Sequence, residues 1–173
     1  MDINHLLEDK SIKTAQKRDQ ISDAFENGTI TVSNMKTYVI DDKGVGIILE
    51  AMEAVSRKNP EASDIEWLDY AGKHILSSSN TVKREALRVV GNIAHLFPDS
   101  LFDVVQTLLK NTNNDGTVVR WGSAYALGRI ILIPQYANSD LFDTLVDLAE
   151  QETENGVKSQ YLTGLKKANR LRK

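Results

Sequence analysis

A pattern of twelve residues recurs along the chain, and it restricts the possible folds more than any other feature of the sequence. Residues 82–93 (VKREALRVVGNI) align without gaps on residues 119–130 (VRWGSAYALGRI), 37 positions later. A weaker copy begins at Val157, a further 38 positions on, and a more degenerate one begins at Gly44. A fixed period of tens of residues is typical of repeat architectures, whose units bury their apolar faces only by stacking. The chain is therefore predicted to form a row of similar units.

Each unit is predicted to contain two helices. The repeated segments carry apolar residues at helical spacing, and so do the segments between them, at positions 101, 104, 105 and 108 and at 141, 142, 145 and 148. Gly91 and Gly128 share one repeat position, and because glycine costs about 1 kcal/mol in an exposed helix, its recurrence predicts close helix packing. The predicted fold class is all-α: an α-α superhelix, or solenoid, of about four helical hairpins.

The limits of the domain and of its helices are predicted from the chain length and from the turn-forming residues between the helical segments. One domain over residues 1–173 is expected, because a chain of this length fits one compact unit. Residues 1–40 are predicted to form an N-terminal helical cap: a helix over 11–25, a loop at 28–32, and a short helix capped by Ser33 that runs through Ile40. The repeat helices are assigned to 41–79, 80–115, 116–155 and 156–173. The core residues of the degenerate copy are predicted to be Ile48, Leu49, Met52 and Val55.

Composition narrows the function classes. The sequence has no cysteine, which excludes thiolate catalysis and cysteine-ligated metal sites. Its first residues lack the order of a secretion signal, and no apolar run approaches the roughly 20 residues that cross a bilayer. We therefore expect a cytoplasmic protein without a membrane segment. The three histidines are far apart, and no catalytic or metal-ligand spacing occurs, so no catalytic residue, metal site or cofactor is predicted.

The segment 115–120 (DGTVVR), which continues into 124–130 (AYALGRI), resembles the HEAT-like repeat signature of the armadillo-type fold. In that signature a turn aspartate precedes a Val-Arg pair and an Ala-rich second helix. The resemblance, which extends to the repeats of phycobilisome-lyase type, covers residues 80–170 well and 33–79 loosely. It implies a structural ladder in which a basic residue meets the turn aspartate of a neighbouring unit. The residues in question are Lys83, Asp115, Arg120 and Lys158, and only Asp115 with Arg120 forms a complete pair.

The resemblance also implies that the second helices line the concave side of the solenoid. The first, fifth, sixth, ninth and twelfth positions of each copy then form the core, and the third, seventh and eleventh face outward. The outward rows are Arg84, Trp121 and Ser159; Arg88, Tyr125 and Thr163; and Asn92, Arg129 and Lys167.

Trp, Tyr and Arg supply much of the binding energy at protein interfaces, and these rows are basic and aromatic in a chain of net charge −3. We therefore predict a protein partner with an acidic segment. The predicted contact residues are Arg84, Arg88, Asn92, Trp121, Tyr125, Arg129 and Lys167. The structural alternative is that Trp121 packs on the adjacent helix and that the arginines pair with nearby acids.

Other functions stay open at this point. HEAT-like arrays serve as scaffolds, regulators, nucleic-acid binders and, in a few cases, enzymes. Nucleic-acid binding is the main alternative, because one HEAT-like family of alkylpurine DNA glycosylases uses aromatic and acidic residues on its concave face. The basic tail, residues 166–173, is consistent either with binding of a phosphate or acidic group or simply with the favourable position of positive charge at a helix C-terminus. An enzyme of the bilin-lyase type rests on analogy of fold alone.

Overall fold

The computed structural model describes residues 1–35 and 40–172, and all regular secondary structure in those ranges is helical. The α-helices are α1 (Ile3–Glu8), α2 (Thr14–Glu26), α3 (Val32–Met35), α4 (Asp42–Lys58), α5 (Ile65–His74), α6 (Asn80–Ile93), α7 (Phe102–Lys110), α8 (Thr117–Ile130), α9 (Pro134–Ala137), α10 (Leu141–Gln151) and α11 (Asn155–Ala168). Short 3-10 turns occupy Pro60–Ala62, Ala94–Leu96 and Pro98–Ser100. No helix in the described ranges is both long and apolar enough to span a membrane.

The helices form two layers. In the continuous layer, α2, α4, α6, α8 and α11 pack side by side in the order of the sequence. In the flanking layer, α5 packs on α6, α7 on α8 and α10 on α11. Each of these pairs is a helical hairpin, and stacking the hairpins gives the predicted α solenoid.

Side-chain caps set where several helices begin. The Asp41 carboxylate accepts a hydrogen bond from the Gly44 N–H at 2.8 Å, and Asp64 accepts from the second and third residues of α5. Ser79 caps α6 in the same way. These oxygens satisfy N–H groups that have no partner inside the helix. The turn residues of the sequence therefore mark the hairpin boundaries.

The repeat register of the core is confirmed. All five predicted core positions are buried in the first copy, residues 82, 86, 87, 90 and 93, and in the second, residues 119, 123, 124, 127 and 130. Residues 48, 49, 52 and 55 of the degenerate copy are buried as well. The exception is Leu162, at the sixth position of the third copy, which is 49% exposed. The burial pattern shows that the first two copies are covered on both sides by neighbouring helices.

Glycines allow the helices of the continuous layer to approach closely, as their recurrence predicts. A Cβ atom on Gly91 would stand 2.8 Å from ring carbons of Tyr125, and one on Gly128 would stand 2.7 Å from the Gln160 carbonyl oxygen. Across the same interface, Gly164 faces the backbone of Gly128. Any side chain at these positions would force adjacent helices apart.

The N-terminal boundaries differ from the prediction. Residues 3–8 form α1, which was not predicted. The second helix begins at Thr14 rather than at 11, because Asp9 holds Ser11 in a turn and the Gln16 side chain accepts a hydrogen bond from the Lys13 N–H. Residues 28–31 form no strand, as expected.

The short helix that follows also starts earlier than predicted. It begins at Val32, and Thr31 rather than Ser33 exchanges hydrogen bonds with Asn34 at its start. Ser33 instead donates to the Glu66 carboxylate. The predicted continuation to Ile40 crosses residues 36–39, which lie outside the described residues.

Candidate interaction face

Three side chains on successive turns of α8 stack on one another. The rings of Trp121 and Tyr125 lie 5.2 Å apart between centroids and are inclined by 21°. One turn further on, the guanidinium carbon of Arg129 lies 4.3 Å from the centre of the Tyr125 ring. The helix produces this arrangement because residues four apart lie one above the other. We call Trp121, Tyr125 and Arg129 the α8 stack.

Hydrogen bonds anchor the α8 stack to two other helices. The Tyr125 hydroxyl donates to Asn92 Oδ1 at 2.5 Å, and Asn92 Nδ2 donates to Ser56 Oγ at 3.0 Å. Gly91 leaves the space that the Tyr125 ring occupies. Burial raises the pKa of Tyr125, which keeps the hydroxyl protonated as a donor at neutral pH. The position of the ring is therefore fixed by α6 and α4.

The outward placement predicted for Asn92 is wrong. Its exposed fraction is only 4%, because Tyr125 covers it on one side and α4 lies on the other. An amide with so little exposure does not meet a partner directly. In the structure its role is to hold the Tyr125 ring in place.

Arg84 and Arg88 are engaged by acids of the protein itself. Arg88 donates to Glu53 at 2.7 Å and to Glu85 at 3.0 Å, and Arg84 Nε donates to Glu85 at 2.6 Å. Arg57 adds a contact of 3.2 Å to Glu53. Both carboxylates are buried, with exposed fractions of 5% and 2%. The structural alternative considered for these two arginines is the arrangement observed, and their positive charge is largely compensated.

Sequence reasoning missed the two buried carboxylates. Glu85 stands at the fourth repeat position, where the other copies carry the uncharged Gly122 and Gln160. That difference, together with Arg88 three residues later, is the signal that was available. Glu53 gives no comparable local signal, because its partner Arg88 lies 35 residues away in sequence.

The charged groups surround a cavity of about 390 Å³ between α2, α4 and α6. Glu50 lies on its wall, and burial together with the charge of Glu85 raises the pKa of the Glu50 carboxyl. The Arg84 guanidinium is 3.9 Å from this carboxyl, too far for a hydrogen bond. The cavity thus carries both signs of charge rather than a basic surface.

Of the predicted structural ladder, only Arg120 forms an ion pair within the described residues, and its acid is Glu152 rather than Asp115. Arg120 donates to both carboxylate oxygens of Glu152, at 2.9 and 3.4 Å, and to the backbone carbonyls of Asn114 and Asp115. The Asp115 side chain is not its partner, because Glu152 reaches Arg120 from the following hairpin. This hydrogen bond lowers the pKa of Glu152. Neither Lys83 nor Lys158 forms an ion pair within the described residues.

The remaining predicted contact residue stands apart from the α8 stack. Lys167 is exposed on α11, as are Ser159 and Thr163 of the outward rows. Within residues 1–35 and 40–172, no hydrogen bond or ion pair joins Lys167 to the α8 stack. In the same ranges, no group of three or more His, Asp or Glu side chains is arranged to hold a metal ion.

Comparison with known proteins finds a family model that matches part of the chain. The model of the HEAT-like repeat matches residues 80–130, which span α6, α7 and α8. A search of curated proteins finds no significant match.

Two crystal structures of engineered proteins from the Northeast Structural Genomics Consortium are similar in fold. The first has a TM-score of 0.70 and 18% identity over 96% of this chain, which spans only 46% of that protein's length. The second has a TM-score of 0.57 and 14% identity, and the match covers 99% of this chain and 98% of the other. With the repeat register, the two helical layers and the match in agreement, residues 80–130 resemble the HEAT-like repeat and the chain has an all-helical solenoid fold.

Proposed function

We propose that this chain is a non-catalytic protein-interaction module, with the α8 stack at the centre of its contact surface. HEAT-like repeats generally mediate protein–protein interaction or scaffolding. The observation that carries the proposal is the pre-ordered geometry of Trp121, Tyr125 and Arg129. These are the residue types that dominate binding energy, and ordering them in advance removes part of the entropic cost of association.

The chemistry of the partner follows from the charges around the α8 stack. Arg129 is exposed, and no carboxylate of the described residues lies within 4.0 Å of its guanidinium. Arg84 and Arg88 are already paired with Glu85 and Glu53. We therefore assign Arg129 as the receptor for an acidic side chain of the partner, next to an apolar or aromatic side chain that packs on Trp121. The partner segment is acidic and lies on the concave side implied by the family.

The same pairing favours a protein partner over nucleic acid. Affinity for a phosphate backbone depends on the number of uncompensated cations, since each one releases counterions. Of the four cationic side chains among the predicted contact residues, Arg84 and Arg88 are paired with carboxylates of the protein itself. The net charge of the chain is −3. A nucleic-acid partner would be revealed by an affinity that falls steeply as the salt concentration rises.

The experiment is affinity capture of the tagged protein from host lysate, with and without nuclease, followed by mass spectrometry. The test variant is Trp121→Ala/Arg129→Ala, which removes both ends of the α8 stack but leaves the Tyr125 anchor. The control is Phe102→Ala/Arg170→Ala, because Phe102 is an aromatic residue with 70% exposure on the flanking layer and Arg170 is exposed beyond α11. The partner so identified is then titrated against all three proteins by calorimetry.

A nuclease-resistant partner that the control retains, and that the test variant binds at least about tenfold more weakly, is the expected result; this corresponds to about 1.4 kcal/mol. Equal binding by the test variant and the wild type would refute the assignment of the α8 stack. Loss of all captured proteins on nuclease treatment would refute the choice of a protein partner.

A further inference from the structure

The last hairpin carries an apolar groove along its length. The groove has a volume of about 410 Å³ and runs between α10 and α11. Its floor is formed by Val146 and Ala149 of α10 and by Leu162 and Leu165 of α11. Leu162 is 49% exposed, although its side chain belongs to the core pattern of the repeat.

The repeat register shows what kind of surface this is. Leu162 stands at the sixth position of its copy, where the earlier copies have Leu87 and Ala124. Both equivalents are completely buried, and Leu87 lies directly against Gly122 of the next helix in the continuous layer. The face of α11 that bears Leu162 therefore corresponds to the face on which α6 receives α8.

A lysine prevents another unit from docking here in the same way. The tenth position is Gly91 in the first copy and Gly128 in the second, and both must be glycine because the next helix approaches too closely for a Cβ. In the third copy this position is Lys166, which lines the groove. Whatever covers the groove must leave room for a lysine side chain, so its geometry differs from that of a further repeat.

The charged residues at the end of the groove complement the same residues of a second copy related by a twofold axis. Glu150 and Lys158 lie on opposite rims, on α10 and α11 respectively, and form no ion pair with each other. The two helices are antiparallel, so a twofold axis parallel to them lays α10 of one copy over α11 of the other at the same height. Glu150 then meets Lys158 of the second copy, and Val146 meets Leu162 of the second copy. Such self-complementarity is what a twofold interface requires.

We propose that the occupant of this groove is a second copy of the chain, which forms an end-to-end twofold dimer through α10 and α11. Helices of this length present a face of roughly 20 Å by 20 Å, which buries about 800 Å² in total. This area lies below the roughly 1,200 Å² at which stable interfaces begin. The dimer is therefore weak, with a dissociation constant on the order of 10–100 µM, and it leaves the α8 stack free.

The test is sedimentation equilibrium from about 1 µM to about 500 µM, a range that brackets the expected constant. The wild-type mass is expected to rise with concentration from the monomer value of 19.3 kDa towards twice that value. Leu162→Glu is expected to stay monomeric. Leu76→Glu is the matched control, because Leu76 is 50% exposed and lies outside the groove, and it is expected to associate like the wild type. Circular dichroism verifies that the variants are folded.

A charge exchange tests the register of the interface. Lys158→Glu is expected to weaken association about tenfold, because two acidic side chains then face each other at both symmetry-related contacts. Adding Glu150→Lys in the same chain is expected to restore it to within about threefold of the wild type. A wild-type protein that stays monomeric throughout would overturn the dimer and leave the groove to a segment of another protein. Dimers that persist in Leu162→Glu, or a charge exchange that does not restore association, would overturn it equally.

Discussion

Replacing Gly164 with alanine is expected to destabilise the protein, although alanine is the better helix former. The added Cβ would lie 2.7 Å from the Cα of Gly128 and in contact with the Gly128 carbonyl oxygen. These are backbone atoms of α8, so no side chain can rotate out of the way. The only relief is for α8 and α11 to move apart.

The size of the effect follows from that movement. Ordinary van der Waals contact begins at 3.4 Å, so the helices must separate by at least about 0.7 Å. A gap of about 0.5–1 Å forfeits about a quarter to a half of the dispersion energy of each contact across the interface. Overpacking of this kind costs about 1–3 kcal/mol or more, against which the higher helix propensity of alanine returns up to about 1 kcal/mol. We expect a net loss of about 1–2 kcal/mol and a fall in Tm of several degrees.

Urea denaturation followed by circular dichroism measures this loss. The matched control is Gly72→Ala in α5, where an added Cβ meets no atom within 4 Å. There the same substitution is expected to stabilise the protein by about 0.4–1 kcal/mol. A Gly164→Ala variant as stable as the wild type, beside a stabilised Gly72→Ala, would refute the close backbone contact between α8 and α11.

Three further substitutions test the packing between hairpins. Arg120→Ala is expected to lower the free energy of unfolding by about 2 kcal/mol at neutral pH. Because Arg120 lowers the pKa of Glu152 in the folded state, this stabilisation is present above the usual glutamate pKa of 4.5 and is lost as the pH falls below it. Urea titrations of the wild type and the variant should therefore converge in acid. Tyr125→Phe leaves the buried Asn92 oxygen without its donor and should cost about 1–3 kcal/mol. Ser123→Ala should stabilise by up to about 1 kcal/mol in thermal unfolding, because the buried Ser123 hydroxyl has no hydrogen-bond partner among the described residues and Ala86 holds the same repeat position. A destabilised variant would contradict the buried unsatisfied hydroxyl.

The parts of the fold that sequence predicts are those written in a local pattern. The apolar positions of the repeat recur within one helix turn of each other, so Val90 and Leu127 were correctly placed in the core. The recurrence of Gly91 and Gly128 predicted close packing for the same reason. The apolar positions and the glycines are both recognisable in a single sequence because each unit is subject to the same packing constraint.

The parts that sequence does not predict depend on contacts between units. Asn92 was placed on the surface by its repeat position, but Tyr125 from the next hairpin covers it. Arg120 was expected to join a ladder of basic residues and turn aspartates, whereas its acid is Glu152, 32 residues further along the chain. The pattern of residues within a single helix does not indicate which side chain of another unit each residue will contact. Site residues were therefore less predictable than core residues.

The hydrogen-bonded chain from Ser56 through Asn92 to Tyr125 also bears on how the molecule assembles during folding. Similar repeats present similar apolar faces, so helices of the wrong order bury nearly as much surface, and misassembly is a characteristic failure of repeat proteins. The native order α4, α6, α8 supplies both a donor and an acceptor for the buried Asn92 amide. A wrong neighbour would leave that amide unsatisfied at a cost of about 1–3 kcal/mol. One polar residue thus selects the native sequence of neighbours among helices that hydrophobic contacts alone barely distinguish.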